Sequence, residues 1–422
     1  MAKKNSNGLA IAIMFFLFAM ISFVTGLQNP FGVIVKSQFD ASNFLSQLGN
    51  AANFIAYAVM GLPAGFILSK KGYKFTALAS VLVGFIGVGI TFLSGVVESF
   101  AVYLLGAFIS GFSMCMLNTV VNPMLNTLGG GGNKGNQLIQ LGGSCNSLAA
   151  TICPVLVGYL IGDAMNARIS DANPALFIAM GIFALAFVII LFSKIPEPDL
   201  AEAAAEKPEK TGDVIKGALS FRHFVFGAIA IFLYVGVEVG IPNFVNLYMT
   251  SPAIGIAAGV AGTIVGMYWF LMLCGRLLGA SLGAKISSRT MMVSVSSLAV
   301  LLLVLGMVLG DSAQVPFPAF KDLHFSMETI PLGVVFFVLC GLCTSVMWGA
   351  IFNLAVEGLG KYTSIASGLF MVMVCGGGIL PLIQGAVADA TSSYLLSYLV
   401  VIAGVLYILW FALFGSKIKK NA

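Results

Sequence analysis

The chain has 422 residues, of which 59% are hydrophobic and 9% charged, and its mean hydropathy is +1.02. Soluble domains are charged at about a quarter of their positions, so a water-soluble globular protein is excluded. The formal net charge of +5 carries no sign of a nucleic-acid partner, because its lysines and arginines follow the membrane pattern described below.

Twelve apolar runs cover the chain, each long enough to cross a hydrocarbon layer of roughly 30 Å as a helix. They are rich in glycine and phenylalanine and do not alternate with period two, which disfavours a β-barrel. Span one, 9–35, follows Lys3 and Lys4 as a signal sequence would, but it is too long and lacks a cleavage site, so it is expected to be retained. Within it Pro30 leaves the Gly26 carbonyl without a helical donor, beside Gln28 and Asn29. Span two covers 43–68 and span three 75–95. Span four, 100–127, places Asn118, Asn122 and Asn126 at i, i+4 and i+8 on one stripe, and Pro123 frees the Thr119 carbonyl. Span five, 137–161, adds Gln140 and Asn146, and span six covers 173–193.

Residues 194–220 form the one sustained charged, proline-bearing stretch and divide the spans six and six. The expected organisation is an N-terminal bundle over 1–193, a cytoplasmic linker over 194–220 and a C-terminal bundle over 221–422.

Span seven, 221–249, contains "LYVGVEVGIPNF". Glu238 lies near mid-depth, where an ionised side chain costs about 2.5–3.5 kcal/mol on insertion scales. No basic residue is near it in sequence, and Pro242 removes the donor that its carbonyl needs. A carboxyl in that place is a candidate protonation or cation site; the alternative is a permanently protonated side chain bonded to a neighbouring helix. Asn243 and Asn246 follow on the same helix. Span eight, 255–281, carries Arg276 one to two turns from its cytoplasmic end, a candidate gating residue able to snorkel or to bond helix ends.

Span nine covers 290–310 and is joined to span ten, 328–356, by the external segment "GDSAQVPFPAFKDLHFSMET". Span ten holds Trp348, too deep for an interfacial belt, which can stack on a sugar ring or simply pack, and Asn353. Span eleven, 362–388, holds Gln384, and span twelve covers 392–414. Amides both donate and accept, so these Asn and Gln residues suit sugar hydroxyls or helix–helix bonds equally.

With both termini inside, seventeen of the 21 lysines and arginines fall on cytoplasmic segments. Lys36, Arg168 and Lys321 lie outside, and Arg276 lies within a span. That is the positive-inside pattern. The seven cysteines all fall within spans and are expected to be inert packing residues. "GGGGNKGN" lacks the ending of a phosphate loop, His223 and His324 are isolated in sequence, and no nucleophile–base pairing stands out. Neither a metal, a cofactor nor an enzymatic activity is expected.

The halves resemble each other. "NPMLNTLG" (122–129) matches "NLAVEGLG" (353–360), and "CPVLVGYLIGDA" (153–164) matches "LPLIQGAVADA" (380–390). Two similar six-helix halves in the same orientation are the parallel-repeat signature of major facilitator transporters, with cargo bound between them near the midplane.

Five stretches carry a closer resemblance: "FLYVGVEVGIPNF", "NTVVNPMLNTLG", "GLPAGFILSKKGYK", "CGRLLG" and "MWGAIFNLAVEGLGKYTSIASGLFMVMVCGGGILPLIQGAVAD". Together they are similar to the fucose:proton symporter family of the major facilitator superfamily, most of all its glucose/galactose branch. The resemblance implies an all-α membrane protein of twelve transmembrane helices in two six-helix bundles. It also implies a bacterial inner-membrane location, alternating access and ion-driven uptake of a monosaccharide. Family members that couple fucose to protons have carboxylates in spans one and four, where this chain has Asn29 and Asn118. The family's Gln-x-x-Asn-Ser becomes Gly143-Ser144-Cys145-Asn146-Ser147, keeping Asn146 and losing the glutamine.

The expected function is ion-coupled import of a hexose or hexose derivative. Glu238 is the expected coupling group and Arg276 the gate. Gln28, Asn29, Asn118, Asn122, Gln140, Asn146, Asn243, Asn246, Trp348, Asn353 and Gln384 are the candidate sugar contacts. The coupling ion, proton or sodium, stays open. So do an uncoupled facilitator, an exporter and a membrane enzyme acting on lipid-linked sugars. The expected partners are a small sugar and membrane lipid, without nucleic acid, for a monomer with both termini cytoplasmic.

Overall fold

The computed structural model describes residues 2–129, 132–161, 166–197, 211–282, 286–321, 324–359 and 362–418. Twelve helices long and apolar enough to cross a membrane lie among them. Their burial reflects position in the bundle. Span ten is the most enclosed, with 61% of its most apolar stretch buried, and span nine the least, with 28%. Leu185, Phe192 and Leu301 stand exposed on outer helices, as the lipid-facing surface of such a fold requires.

Several spans are broken, at places the sequence marks. Span one runs as Ala2–Gly26 and Gln28–Gln38, interrupted just before Pro30. Spans two and three form one run, Leu48–Val96, turned at Gly72, whose φ of 83° suits glycine. The Glu197 carboxylate caps the start of span three there, accepting from the backbone N–H groups of Tyr73 (2.6 Å) and Lys74 (2.9 Å). Span ten breaks between Leu332–Thr344 and Met347–Val356, and span eleven between Thr363–Met373 and Gly376–Thr391. The remaining spans are Phe100–Leu128, Gly132–Ile161, Asn173–Phe192, Arg222–Met249, Ala258–Leu282, Ser288–Val308 and Tyr394–Trp410.

Span five lies along span eight. Gly262 and Gly266 of span eight rest against the backbone carbonyls of Pro154 and Thr151, where a Cβ would not fit. Small residues let the two backbones approach closely. Counting on from Gly266 in steps of three and four along this face reaches Arg276, so the stripe that holds span five also aims the arginine at it.

An even number of crossings returns the chain to the side on which it began. On the opposite side, polar contacts join the two halves. Asn243 of span seven donates to Gln47 Oε1 (3.0 Å), and Asn50 of span two donates to the Gly377 carbonyl of span eleven (2.8 Å). The Asp389 carboxylate, from the end of span eleven, accepts from the backbone N–H groups of Asn43 (2.8 Å) and Phe44 (2.9 Å). Lys36 donates to Asn43 Oδ1 (2.5 Å) and to the Tyr394 hydroxyl, with its ammonium 5.0 Å from the Tyr394 ring centre.

One connection and the linker complete the picture. The connection between spans nine and ten is an antiparallel hairpin, Gln314–Lys321 paired with His324–Pro331. It rests on span eight, where Thr263 Oγ1 donates to the Phe320 carbonyl (3.2 Å). Its β-branched and aromatic positions were masked in sequence by three prolines, which an isolated edge ribbon tolerates. Of the linker, Thr211–Leu219 is a helix, while 198–210 lie outside the described residues.

Candidate functional site

Glu238 sits in span seven with Arg276 of span eight beside it. A guanidinium nitrogen of Arg276 is 3.5 Å from Glu238 Oε1, and the two side chains keep 15% and 14% of their surface accessible, respectively. The same guanidinium donates to the Gly143 carbonyl (2.8 Å) and to Ser147 Oγ (2.7 Å), both on span five. Arg276 thus ties a C-terminal carboxylate to an N-terminal helix. The sequence offered no charge partner for Glu238, and the fold supplies one from 38 residues away.

The backbone at Glu238 is satisfied as well. Tyr268 of span eight donates its hydroxyl to the Glu238 carbonyl (3.2 Å), which Pro242 leaves without a helical donor. The Tyr268 hydroxyl also lies 3.1 Å from Thr344 Oγ1, at the break in span ten. Nearby, Tyr398 donates to the Ile241 carbonyl (3.1 Å). One helical turn before Glu238, Tyr234 is fully buried. Its hydroxyl faces both Glu238 and Arg276 and interacts with each. The Tyr234 ring lies 6.2 Å from that of Trp348, centre to centre, at 59°, and Trp348 is half-buried.

The other candidate amides divide by what their polar ends already do. Asn118 donates to the Tyr57 hydroxyl (3.0 Å) and to the Met114 carbonyl (3.1 Å). Asn122 donates to the Asn118 carbonyl (3.0 Å). Their donors are engaged within the first half, and both side chains are partly exposed. Asn146 is used at both ends: its amide donates to the Phe18 carbonyl (3.0 Å), and its oxygen accepts from Ser22 (3.2 Å). That pins span five to span one. Gln28 is buried and accepts from Tyr103 (3.0 Å). Asn243 bonds Gln47 in the closure between the halves. Gln384 is buried against span twelve, donating to Ser397 Oγ at 3.4 Å. Asn246 lines a narrow apolar cleft with Pro30, Ile34, Pro154 and Gly262. Asn353 is exposed on span ten. The side chains of Asn29, Asn126 and Gln140 lie outside what the structure describes.

Glu238, Arg276 and Trp348 are therefore brought to one place, while Gln384 and Asn246 are not. Tyr234, Tyr268 and Ser147 complete the cluster and are not among the sequence candidates. Tyr234 had a signal, since it precedes Glu238 by one turn; Tyr268 and Ser147 had none. His223 is bonded rather than isolated, with Nε2 2.8 Å from the Glu357 carbonyl. All seven cysteines are unpaired. Among the described residues no group of three His, Cys, Asp or Glu side chains could hold a metal.

Comparison with known proteins agrees with this architecture. A model described as Major Facilitator Superfamily matches residues 14–381. The chain is 29% identical over 420 residues to the glucose/galactose transporter of Brucella abortus, covering 99% of this chain and 96% of that protein. It is 22% identical over 443 residues to the L-fucose-proton symporter of Escherichia coli, covering 99% and 97%. A crystal structure of the fucose:proton symporter of that organism superposes with a TM-score of 0.70 at 20% identity, over 98% of this chain and 100% of that one.

Proposed function

We infer, for a chain that belongs to the Major Facilitator Superfamily, that it is a secondary transporter importing a hexose or hexose derivative by ion-coupled symport through alternating access. The proposed setting is a bacterial inner membrane, with both termini on the cytoplasmic side as the lysine and arginine bias requires. The named relatives support sugar as the cargo class. The observation that carries the coupling is the Glu238–Arg276 pair, two opposite charges 3.5 Å apart on the seam between the halves.

Such a pair is costly in a membrane, and intramembrane charges of this kind mark ion or substrate pathways. In a partly wet site the attraction is on the order of 4 kcal/mol. A proton added to Glu238 removes it, leaving Arg276 still bonded to Gly143 and Ser147. In our reading, the balance of the guanidinium between the carboxylate and span five links proton binding to the position of span eight against the first half. A proton fits the site better than sodium, because a metal cation beside a guanidinium would be repelled. Arg276 acts in this scheme as both charge partner and gate.

The test is uptake of glucose, galactose and fucose into proteoliposomes under separately imposed proton and sodium gradients. Concentrative uptake driven by the proton gradient is expected. Uptake that only equilibrates the sugar under either gradient points to a facilitator, and the absence of transport for all hexoses overturns the cargo assignment.

A further inference from the structure

We propose that the hairpin between spans nine and ten is a lipid-binding element, whose outer face lies in the external leaflet at the boundary of headgroups and acyl chains. The partner it fits is phospholipid, and the assignment does not depend on the cargo.

Paired residues of the hairpin share a face, and successive residues alternate between faces. The inner face carries Ala319 and Ile330, both fully buried, together with Glu328. The outer face carries Pro316, Pro318, Phe320, Phe325, Met327 and Thr329, and none of these is charged. Phe325 and Met327 are 78% and 63% exposed, and the Phe325 ring meets that of Phe320 edge-on, 5.4 Å centre to centre. A bare apolar face of this kind marks a contact with a partner or a membrane.

The place of the hairpin on span eight identifies which. Thr263, which donates to the Phe320 carbonyl, lies five residues beyond Ala258, where span eight begins. That is about 7.5 Å along the helix axis, within the roughly 5–10 Å to which interfacial elements sink their apolar faces. Thr263, Phe270 and Leu277 recur every seven residues and so share one stripe. Phe270 and Leu277 are exposed, whereas Thr263 is buried under the hairpin. Tyr268 and Arg276, which reach span seven, project about 140° round the helix from Thr263. The hairpin therefore tops the stripe of span eight that faces away from the bundle, and its apolar face continues the lipid-facing surface.

The prolines fit the same placement. The Phe320 carbonyl turns toward span eight, and residues 316 and 318 share that edge of the strand. As prolines they bring no N–H to be left unbonded against an apolar helix.

The test uses full-length protein in liposomes and the variants Phe325→Trp and Met327→Trp. Each is compared with the natural protein, so that the emission of Trp269, Trp348 and Trp410 is subtracted. Phosphatidylcholine brominated at shallow acyl positions is expected to quench the added tryptophan more strongly than iodide does, at both positions. Stronger quenching by iodide at either position overturns the proposal, since the face is then in water. Protection from both quenchers also overturns it, because a second copy of the chain or another protein then covers the face.

Discussion

The hydroxyl of Tyr268 donates to the carbonyl of Glu238, taking the place of the amide that Pro242 lacks. A proline four residues after an intramembrane carboxylate therefore does not leave a loose end. It hands one backbone acceptor of span seven to span eight, beside the helix face that presents Arg276. Span seven is fixed against span eight at the very residue whose charge span eight also neutralises.

Tyr268→Phe should leave that carbonyl unbonded at a cost of about 1–3 kcal/mol, read as a lowered thermal midpoint in detergent. Pro242→Ala restores the amide and should recover most of the loss when combined with Tyr268→Phe. Equal midpoints for the single and double variants would show that the tyrosine is not serving this carbonyl.

Glu238→Gln is expected to abolish accumulation of sugar against a gradient while leaving exchange across the membrane measurable, because an amide keeps the hydrogen bonding and loses the proton site. Accumulation in proteoliposomes made from this variant, at the rate of the natural protein, removes Glu238 from coupling.

Arg276→Met leaves Glu238 without its partner. Removing one member of a buried ion pair costs about 3–5 kcal/mol, and less is expected here because both side chains keep some solvent access. The variant combining it with Glu238→Gln should melt above Arg276→Met alone. If it does not, the arginine contributes through Gly143 and Ser147 rather than through the carboxylate.

On the side opposite the termini, the Asp389 carboxylate holds two backbone N–H groups at the start of the short helix Asn43–Ser46. Asp389→Asn retains one acceptor and loses the charge, so closure between the halves should weaken. A cysteine placed by Gln47→Cys should then react faster with an impermeant maleimide added from that side. An unchanged labelling rate means the contact does not hold the halves together.

How much of this was legible before folding differs from residue to residue. Glu238 and Pro242 were conspicuous because a charge and a missing donor are costly in any apolar run, whatever surrounds them. The amide stripe of span four was equally plain from its spacing. The fate of each amide was not. Asn146 looks no different in sequence from Asn122, yet it is consumed at both ends by span one, while Asn122 donates within its own helix from a partly exposed side chain. Gln384, read as a sugar contact, is buried against span twelve instead. The hairpin before span ten was hidden by its prolines.

The sequence alone determined the twelve crossings, because transfer into lipid depends on the composition of each apolar run and little else. It also determined that Glu238 and its carbonyl would need partners. Which groups answer that need was decided by tertiary structure. The rotation and crossing of span eight bring Arg276 and Tyr268 to span seven. Such pairings depend on the approach of helices far apart in the chain, and no local pattern of residues encodes them.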